Sequence, residues 1–290
     1  MGTGKQEQQA ATPYMSMFEG FRNELDEHHD RRERIIKASR DITAASKKII
    51  FTLQRVRKLG QPVPQFVVKG NAQYWEIIEN RYQSISPEVQ GLGAYRYERN
   101  VTGGNQEFME ALSFQHYLET QTLIPYNDAA SRIASMSGEG GAVNLTPEDY
   151  ILGVFDMVGE LMRFSITAMA TSGELPAGKA KKAESTKQEA VEDQADDKMD
   201  VDEQATSSSH AEKPRNVLDD LRELRLQLEI FETPPGTKFE SDVKKKMDVM
   251  RECVDKVEKA LYGLTVRGSE RPKGWVPDLR DERPAEVESY

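Results

Sequence analysis

Hydrophobic residues recur with the period of an α-helix along most of this chain. Apolar positions spaced by three and four residues predict a long helix over about 15–58, which Gly60 and Pro62 then end. The most regular stripe predicts a helix over 238–265. Other helices are predicted over 71–85, 87–100, 102–121, 127–136, 147–171 and 215–231. Because no hairpin pattern of alternating residues accompanies them, the sequence predicts an all-α bundle of about seven helices.

Two of these helices carry more specific signals. The apolar stripe of 15–58 starts with Phe18, Phe21 and Leu25, and with the stripe of 238–265 it carries more apolar surface than one thin bundle easily buries, so a partner is expected to cover part of it. Thr146 followed by a proline marks the start of the helix over 147–171, because threonine caps a helix and proline suits its first position. In that helix Gly153 and Gly159 leave room for a neighbouring helix or a ligand.

Residues 172–213 differ in composition from the helical part. Between Glu174 and Glu212 there are 11 acidic and 5 basic residues and no Phe, Trp or Tyr. Such a segment buries too little apolar surface to fold, so it is predicted to be a long disordered acidic insertion. The predicted organisation is a disordered tail over 1–14, one helical domain over 15–171 and 214–267, and a C-terminal tail over 268–290.

Composition and charge narrow the class of protein. The chain has 290 residues and a net charge of −10, and no stretch approaches 18 apolar residues, which argues against a membrane protein. The N-terminal residues lack the apolar core of a secretory signal. The single cysteine, Cys253, cannot form an internal disulfide. We therefore expect a reducing, intracellular environment.

Two acidic pairs interrupt apolar helical segments and are the main candidates for chemistry. Glu107 and Glu110 are three residues apart, and Asp156 and Glu160 are four apart, so each pair shares one helix face. If the two faces meet, four carboxylates converge, which suits a hard cation such as Mg²⁺ or Mn²⁺. The alternative is that both pairs are solvated. A ferritin-type di-iron centre is disfavoured, because the sequence contains no Glu-x-x-His.

Basic residues form a stripe on the first predicted helix. Between Arg31 and Lys58, ten Lys or Arg stand against two acidic residues. In an acidic protein this concentration favours contact with a polyanion such as a phosphate backbone, and a solvated face is the alternative. The candidate contacts in the stripe are Lys37, Arg40, Lys47 and Lys48. Arg163 and His116, which lie near the acidic pairs in sequence, are further candidates for substrate contact, and a packing or structural role is the alternative for each.

Several stretches together resemble the trax (translin-associated factor X) branch of the translin family. They are residues 18–30 (FEGFRNELDEHHD), 39–43 (SRDIT), 107–116 (EFMEALSFQH), 149–163 (DYILGVFDMVGELMR) and 266–270 (VRGSE). The resemblance spans about 15–270. Translin itself has apolar residues where this chain has Glu107 and Glu110, and lacks the acid at Asp156, so the acids place this chain with trax.

The resemblance implies a helical bundle of the translin type that assembles with translin into a closed hetero-octamer. It implies a Mg²⁺-dependent endoribonuclease of the cytoplasm and nucleus, with single-stranded RNA as substrate and DNA as a further ligand. The implied RNAs are passenger-strand fragments of small interfering RNA and precursor tRNA fragments. The implied metal-binding and catalytic carboxylates are Glu107, Glu110, Asp156 and Glu160. The alternative is a non-catalytic subunit that binds nucleic acid and stabilises translin.

Overall fold

The computed structural model describes residues 14–178 and 215–267, and seven α-helices account for most of them. The helices are α1 (Met15–Leu53), α2 (Gln65–Ile85), α3 (Leu92–Thr120), α4 (Tyr126–Met136), α5 (Pro147–Ser172), α6 (Val217–Glu229) and α7 (Lys238–Arg267). In these two ranges no strand forms, and the β contacts are limited to one antiparallel bridge between Ala177 and Asn216. The prediction of an all-α fold is therefore confirmed. None of the described helices is long and apolar enough to cross a membrane.

The predicted tails over 1–14 and 268–290 and the predicted insertion over 172–213 lie outside the described residues, apart from a few positions at their edges. The two chain ends that flank the undescribed internal segment lie side by side. The Gly178 amide donates to the Arg215 carbonyl at 3.2 Å, and the Val217 amide donates to the Pro176 carbonyl at 3.1 Å. The chain therefore leaves and re-enters the helical part at one place.

Two helix boundaries differ from the predicted ones. α1 ends at Leu53 rather than near 58, because the chain then turns away and buries Val56 and Leu59, with the Gly60 amide bonded to the Leu118 carbonyl. α2 begins six residues earlier than predicted, at Gln65, directly after Pro64. Both errors lie in the connection between α1 and α2, where tertiary contacts outweigh local sequence preference.

The predicted helices over 87–100 and 102–121 are one continuous helix, α3, preceded by a short 3₁₀ turn. Its Gly104 lies against α1, where an added Cβ would stand 3.0 Å from the Ser39 carbonyl oxygen. The Gly104 amide also donates a hydrogen bond to the Ser39 hydroxyl at 2.9 Å. This glycine therefore serves a close helix contact and does not break the helix.

The helices pack in a chain of contacts with α3 and α5 at its centre. α1 packs against α2 and α3, α3 packs against α5, and α5 packs against α7, which also supports α6. Aromatic rings fill the spaces between them: Phe108 meets Tyr82 edge to face at 5.6 Å, and Phe114 meets Phe164 at 6.4 Å between ring centroids. The two helices that carry the acidic pairs are thus held directly against each other.

The beginning of α1 stands away from this core. Phe18, Phe21 and Leu25 are each more than half exposed, and burial on α1 begins only at Ile35. The described helices therefore leave part of the apolar stripe of α1 uncovered, as expected, and its covering by a partner stays a prediction. α1 is longer than the helices it packs against, and the described residues do not reach far enough to cover its first turns.

The start of α5 is fixed by a buried hydrogen-bond network. Thr146 caps α5 as predicted, because its hydroxyl accepts from the Asp149 amide at 3.0 Å. The buried Asp149 carboxylate accepts from the Gln106 side chain at 3.0 Å and from Asn105 at 3.5 Å. Asn105 in turn accepts from the Tyr82 hydroxyl. These bonds tie α5 to α3 two turns before the second acidic pair and set the register of the two helices.

The two glycines of α5 provide a matched test of this packing. Gly153→Ala should lower the free energy of unfolding by about 1–3 kcal/mol, since its Cβ would lie 2.5 Å from Met109 Cβ and 2.9 Å from the Gln106 carbonyl oxygen. Gly159→Ala should raise the free energy of unfolding by about 0.5–1 kcal/mol, because alanine favours a helix and its Cβ would have no atom of a neighbouring element within 4 Å. Urea denaturation measures both changes. Equal effects of the two substitutions would contradict the close contact at Gly153.

Candidate carboxylate site

The four predicted carboxylates line one cavity. Glu107 and Glu110 come from α3, and Asp156 and Glu160 come from α5. The cavity has a volume of about 820 Å³, opens to solvent, and is lined on its other sides by α1 and α7. Apolar side chains complete its wall, among them Ile50, Phe51, Phe155 and Met250. The structure thus brings together all four acids that the sequence singled out.

The acids meet because α3 and α5 touch at a glycine. Gly153 lies against Met109, which stands between Glu107 and Glu110, so the two helices approach closely beside the first pair. One turn further along α5, Asp156 reaches the same space. Glu160 is only 6% exposed, and the side chain of Glu107 is 18% exposed. The alternative of two solvated helix faces therefore does not describe these residues.

Glu160 is held by two neighbours. The Gln54 side-chain amide donates to one carboxylate oxygen of Glu160 at 2.7 Å and to its backbone carbonyl at 2.9 Å. Arg163, one turn along α5, forms an ion pair with the other oxygen at 3.2 Å. Gln54 directly follows α1, so this contact also joins the end of α1 to α5.

Glu107 and Asp156 each face a lysine from another helix. Lys47 of α1 stands 3.7 Å from a Glu107 carboxylate oxygen. Lys246 of α7 donates hydrogen bonds to both oxygens of Asp156. Burial raises the pKa of Glu107, and Lys47 opposes part of that rise.

Glu110 is the carboxylate without a partner. No hydrogen bond or ion pair reaches it from residues 14–178 or 215–267. Burial, together with the charges of Glu107, Asp156 and Glu160, raises the pKa of Glu110 to about 8. At neutral pH in the absence of a cation this carboxyl is therefore mostly protonated.

The donor set has the chemistry of a hard-cation site. Four carboxylates around one cavity offer only oxygen ligands, which Mg²⁺ and Mn²⁺ prefer. As the side chains are placed, no three His, Cys, Asp or Glu of the described chain stand close enough together to hold an ion. Three of the four acids are instead turned towards a lysine or an arginine. The carboxylates that would hold a cation are Glu107, Glu110, Asp156 and Glu160.

The predicted basic contacts fall into two groups. Lys47 and Arg163 line the cavity beside the acids. Lys37, Arg40 and Lys48 are exposed on α1 outside the cavity. With 100° per residue, these three and Lys47 share about 100° of the helix surface, so α1 carries one basic face that runs into the cavity.

His116 does not belong to the site. Its ring nitrogen lies 3.2 Å from the Thr122 hydroxyl near the end of α3, and it does not line the cavity. The expectation that His116 contacts substrate is therefore not supported by its position.

Sequence reasoning missed three residues that shape the cavity: Gln54, Lys246 and Phe51. Gln54 and Lys246 hold acids of α5, although they are far from them in sequence. Phe51 is 76% exposed, an uncommon position for a large aromatic side chain. A run of three lysines, 244–246, in the otherwise amphipathic last helix is a signal that could have drawn attention to α7.

Comparisons with known proteins agree on one family. A family model described as the translin family matches residues 30–268. Translin-associated protein X of Rattus norvegicus is 28% identical over 288 residues, covering 93% of this chain and 84% of that protein. The translin-associated protein X homolog of Schizosaccharomyces pombe is 37% identical over 151 residues, covering 52% of this chain and 61% of that protein. Translin of Homo sapiens is 24% identical over 152 residues, covering 52% of this chain and 66% of its own length.

A solved structure has the same fold. The chain described as "Crystal structure of apo-NeC3PO" superimposes with a TM-score of 0.54 at 16% sequence identity, covering 86% of this chain and 96% of that one. At this level of identity the likeness concerns the fold alone, and it supports the prediction of a translin-type helical bundle.

The unpartnered carboxyl predicts a pH-dependent stability. In metal-free protein, Glu110→Gln should raise the free energy of unfolding at pH 9 by roughly 2 kcal/mol, less than the whole pKa shift corresponds to, because water in the cavity screens the charges. The carboxyl has a pKa of about 8 when folded and an ordinary value of 4.5. The contribution of the Glu110 carboxyl to the free energy of unfolding is therefore fully present below pH 4.5 and is lost as the pH rises through 8, because only the folded protein holds the proton between these values.

Urea denaturation in EDTA at pH 5, 7 and 9 measures this effect, and the gain from Glu110→Gln should grow along that series. Glu98→Gln, at an exposed position of the same helix, is the control and should show little change. A gain that is independent of pH would show that the carboxyl is ionised throughout.

Proposed function

The chain belongs to the translin family, and on that premise we propose that it is a Mg²⁺-dependent endoribonuclease subunit that works in an assembly with translin. The observation that carries the proposal is the convergence of four carboxylates from α3 and α5 in one cavity. A structural role does not call for four acids at one helix contact, because their charges repel and their burial costs free energy. Binding of a cation that assists phosphodiester hydrolysis would account for the four carboxylates.

In this proposal Glu107, Glu110, Asp156 and Glu160 hold the cation, with Mn²⁺ as an alternative to Mg²⁺. When bound, the ion would polarise the scissile phosphate and lower the pKa of a water molecule. Glu110 has no hydrogen bond or ion pair from the described residues, so its carboxyl is free either to bind the cation or, where the other three acids bind it, to act as the general base. Lys47 and Arg163 stand at the cavity and would neutralise and orient the phosphate.

The proposed substrate is single-stranded RNA, with DNA as a further ligand. Lys37, Arg40, Lys47 and Lys48 provide a basic face that could follow a phosphate backbone into the cavity. Phe51 lies at that entrance with most of its ring exposed, which suits stacking of an unpaired base. Passenger-strand fragments of small interfering RNA and precursor tRNA fragments are the RNAs that we propose, in the cytoplasm and nucleus.

The proposed partner is translin, in a closed hetero-octamer. The similar proteins of Rattus norvegicus and Schizosaccharomyces pombe are both named for an association with translin. The exposed Phe18, Phe21 and Leu25 at the start of α1 provide an apolar surface for a protein contact.

A second candidate is a non-catalytic subunit that binds nucleic acid and stabilises translin. The observation in its favour is that Lys47, Lys246 and Arg163 already neutralise three of the four acids without a cation. The two candidates differ in one measurable property, which is whether the carboxylates are needed for RNA cleavage.

Removing single carboxylate charges should abolish cleavage. Glu107→Gln, Glu110→Gln, Asp156→Asn and Glu160→Gln should each lower the cleavage rate about 100-fold or more, because a bound cation contributes several kcal/mol to the transition state. The measurement is cleavage of single-stranded RNA in Mg²⁺ by the complex with translin. EDTA should stop the wild-type reaction, and Mg²⁺ or Mn²⁺ should restore it.

The control is Glu98→Gln, which removes a carboxylate from an exposed position of α3 and should cleave normally. All variants should still co-purify with translin, since the acids lie inside a cavity of this chain. Wild-type rates in all four carboxylate variants would favour the non-catalytic candidate.

Neutralising the basic face should change how RNA binding depends on salt. With Lys37, Arg40, Lys47 and Lys48 changed to Gln, the log–log slope of affinity against salt should become shallower by about 0.7 for each phosphate that the protein no longer neutralises. Filter binding of single-stranded RNA between about 50 and about 200 mM salt gives the slope. The control changes four exposed lysines elsewhere, Lys69, Lys238, Lys244 and Lys256. An equal change in the two variants would show general charge attraction without a specific path.

A further inference from the structure

Lys246 has an unusual place in the carboxylate cavity. It projects from α7 and donates to both oxygens of Asp156, on the neighbouring helix α5. Both oxygens are thereby engaged by one ammonium group. The ammonium occupies one lone pair on each oxygen and repels a divalent cation that approaches them, so Lys246 and a cation compete at Asp156.

The three basic residues that face the acids differ in their exposure and in how closely they contact the acids. The side chains of Lys47 and Arg163 are 65% and 69% exposed, whereas that of Lys246 is 25% exposed. Lys47 stands 3.7 Å from its acid, beyond hydrogen-bonding distance. Lys246 alone makes a two-point contact inside the cavity. It is therefore the residue whose charge most nearly replaces that of a bound cation.

We propose that Lys246 is an exchangeable counter-ion: it occupies Asp156 while no divalent cation is present, and it turns to the phosphate of the nucleic acid once a cation takes Asp156. This inference rests on the proposed function, because it assigns Lys246 a part in the binding of the same cation and substrate. The side chain suits the exchange, since its ammonium is a mobile point charge on a flexible four-carbon stem.

Charge balance makes the exchange reciprocal. Without a cation, the acids repel one another, and Lys246 relieves part of that repulsion. With a cation in place, the released ammonium remains in the cavity, where a phosphodiester brings a new negative charge. Lys246 thus competes with the cation for Asp156 and cooperates with it in holding the phosphate.

This double role predicts effects of opposite sign. Lys246→Met keeps most of the apolar stem and removes the charge. It should tighten Mn²⁺ binding about tenfold in the absence of RNA, equivalent to about 1.4 kcal/mol. It should weaken the binding of single-stranded RNA several-fold in Ca²⁺, used as a divalent cation that supports little cleavage, but not in EDTA, where Lys246 stays on Asp156. A lysine with a purely structural role would not improve one affinity while lowering the other.

The test measures Mn²⁺ affinity by calorimetry and RNA affinity by filter binding, with the full chain in its complex with translin. Lys245→Met is the matched control, because Lys245 lines the same cavity without an ion pair to these acids among the described residues. Lys244→Met, whose lysine pairs with Glu240 outside the cavity, is the second control. Both controls should leave Mn²⁺ affinity unchanged. Lys246→Arg, which keeps the charge, should not tighten it.

The outcomes separate this inference from the proposed function. If Asp156→Asn abolishes Mn²⁺ binding while Lys246→Met leaves Mn²⁺ affinity at the wild-type value, the cation site stands and the exchange is wrong. If wild-type protein binds no Mn²⁺, both the exchange and the proposed function fail. In an Asp156→Asn background, Lys246→Met should not restore Mn²⁺ binding, and a recovery of binding there would also overturn the exchange.

Discussion

Four carboxylates face one cavity where α3 and α5 touch, and the repulsion between their charges is what the surrounding residues oppose. Lys47, Arg163 and Lys246 reach the cavity from three helices, and each neutralises one acid. Glu110 has no such partner within the described chain, and its pKa is raised instead, so that it keeps its proton to a higher pH than an exposed glutamate. The arrangement is stable only while charge is neutralised, either by these side chains and protons or by a cation.

The helical framework determines that the acids meet at all. Gly153 allows α5 to touch α3, and the buried Asp149 network fixes how far one helix slides along the other. The same framework brings the end of α1 to the site through Gln54. Fold stability and site geometry therefore depend on the same few contacts, and both follow from small or polar residues within otherwise apolar helix faces.

The fold class and the two acidic pairs could be predicted from the spacing of residues along the sequence. The all-α fold follows from hydrophobic periodicity, and the pairing of acids on each helix face follows from separations of three and four residues. The resemblance to trax supplied the expectation that the two faces meet around a cation. Lys246 could not be predicted, since it meets Asp156 across 90 positions of sequence. The length of the first apolar stripe indicates that part of it stays uncovered, but periodicity does not show at which residue the neighbouring helices end.

The first turns of α1 have a consequence for how such a protein can change over evolutionary time. About 20 residues of the helix, roughly 30 Å, precede its first buried position at Ile35. His28 of this arm lies 2.7 Å from the Tyr97 hydroxyl of α3, and Arg34 pairs with Glu88, whereas substitutions in the turns before His28 alter the surface offered to another molecule. The surface of these first turns and the residues of the carboxylate cavity can thus vary independently, although one unbroken helix carries residues that belong to each.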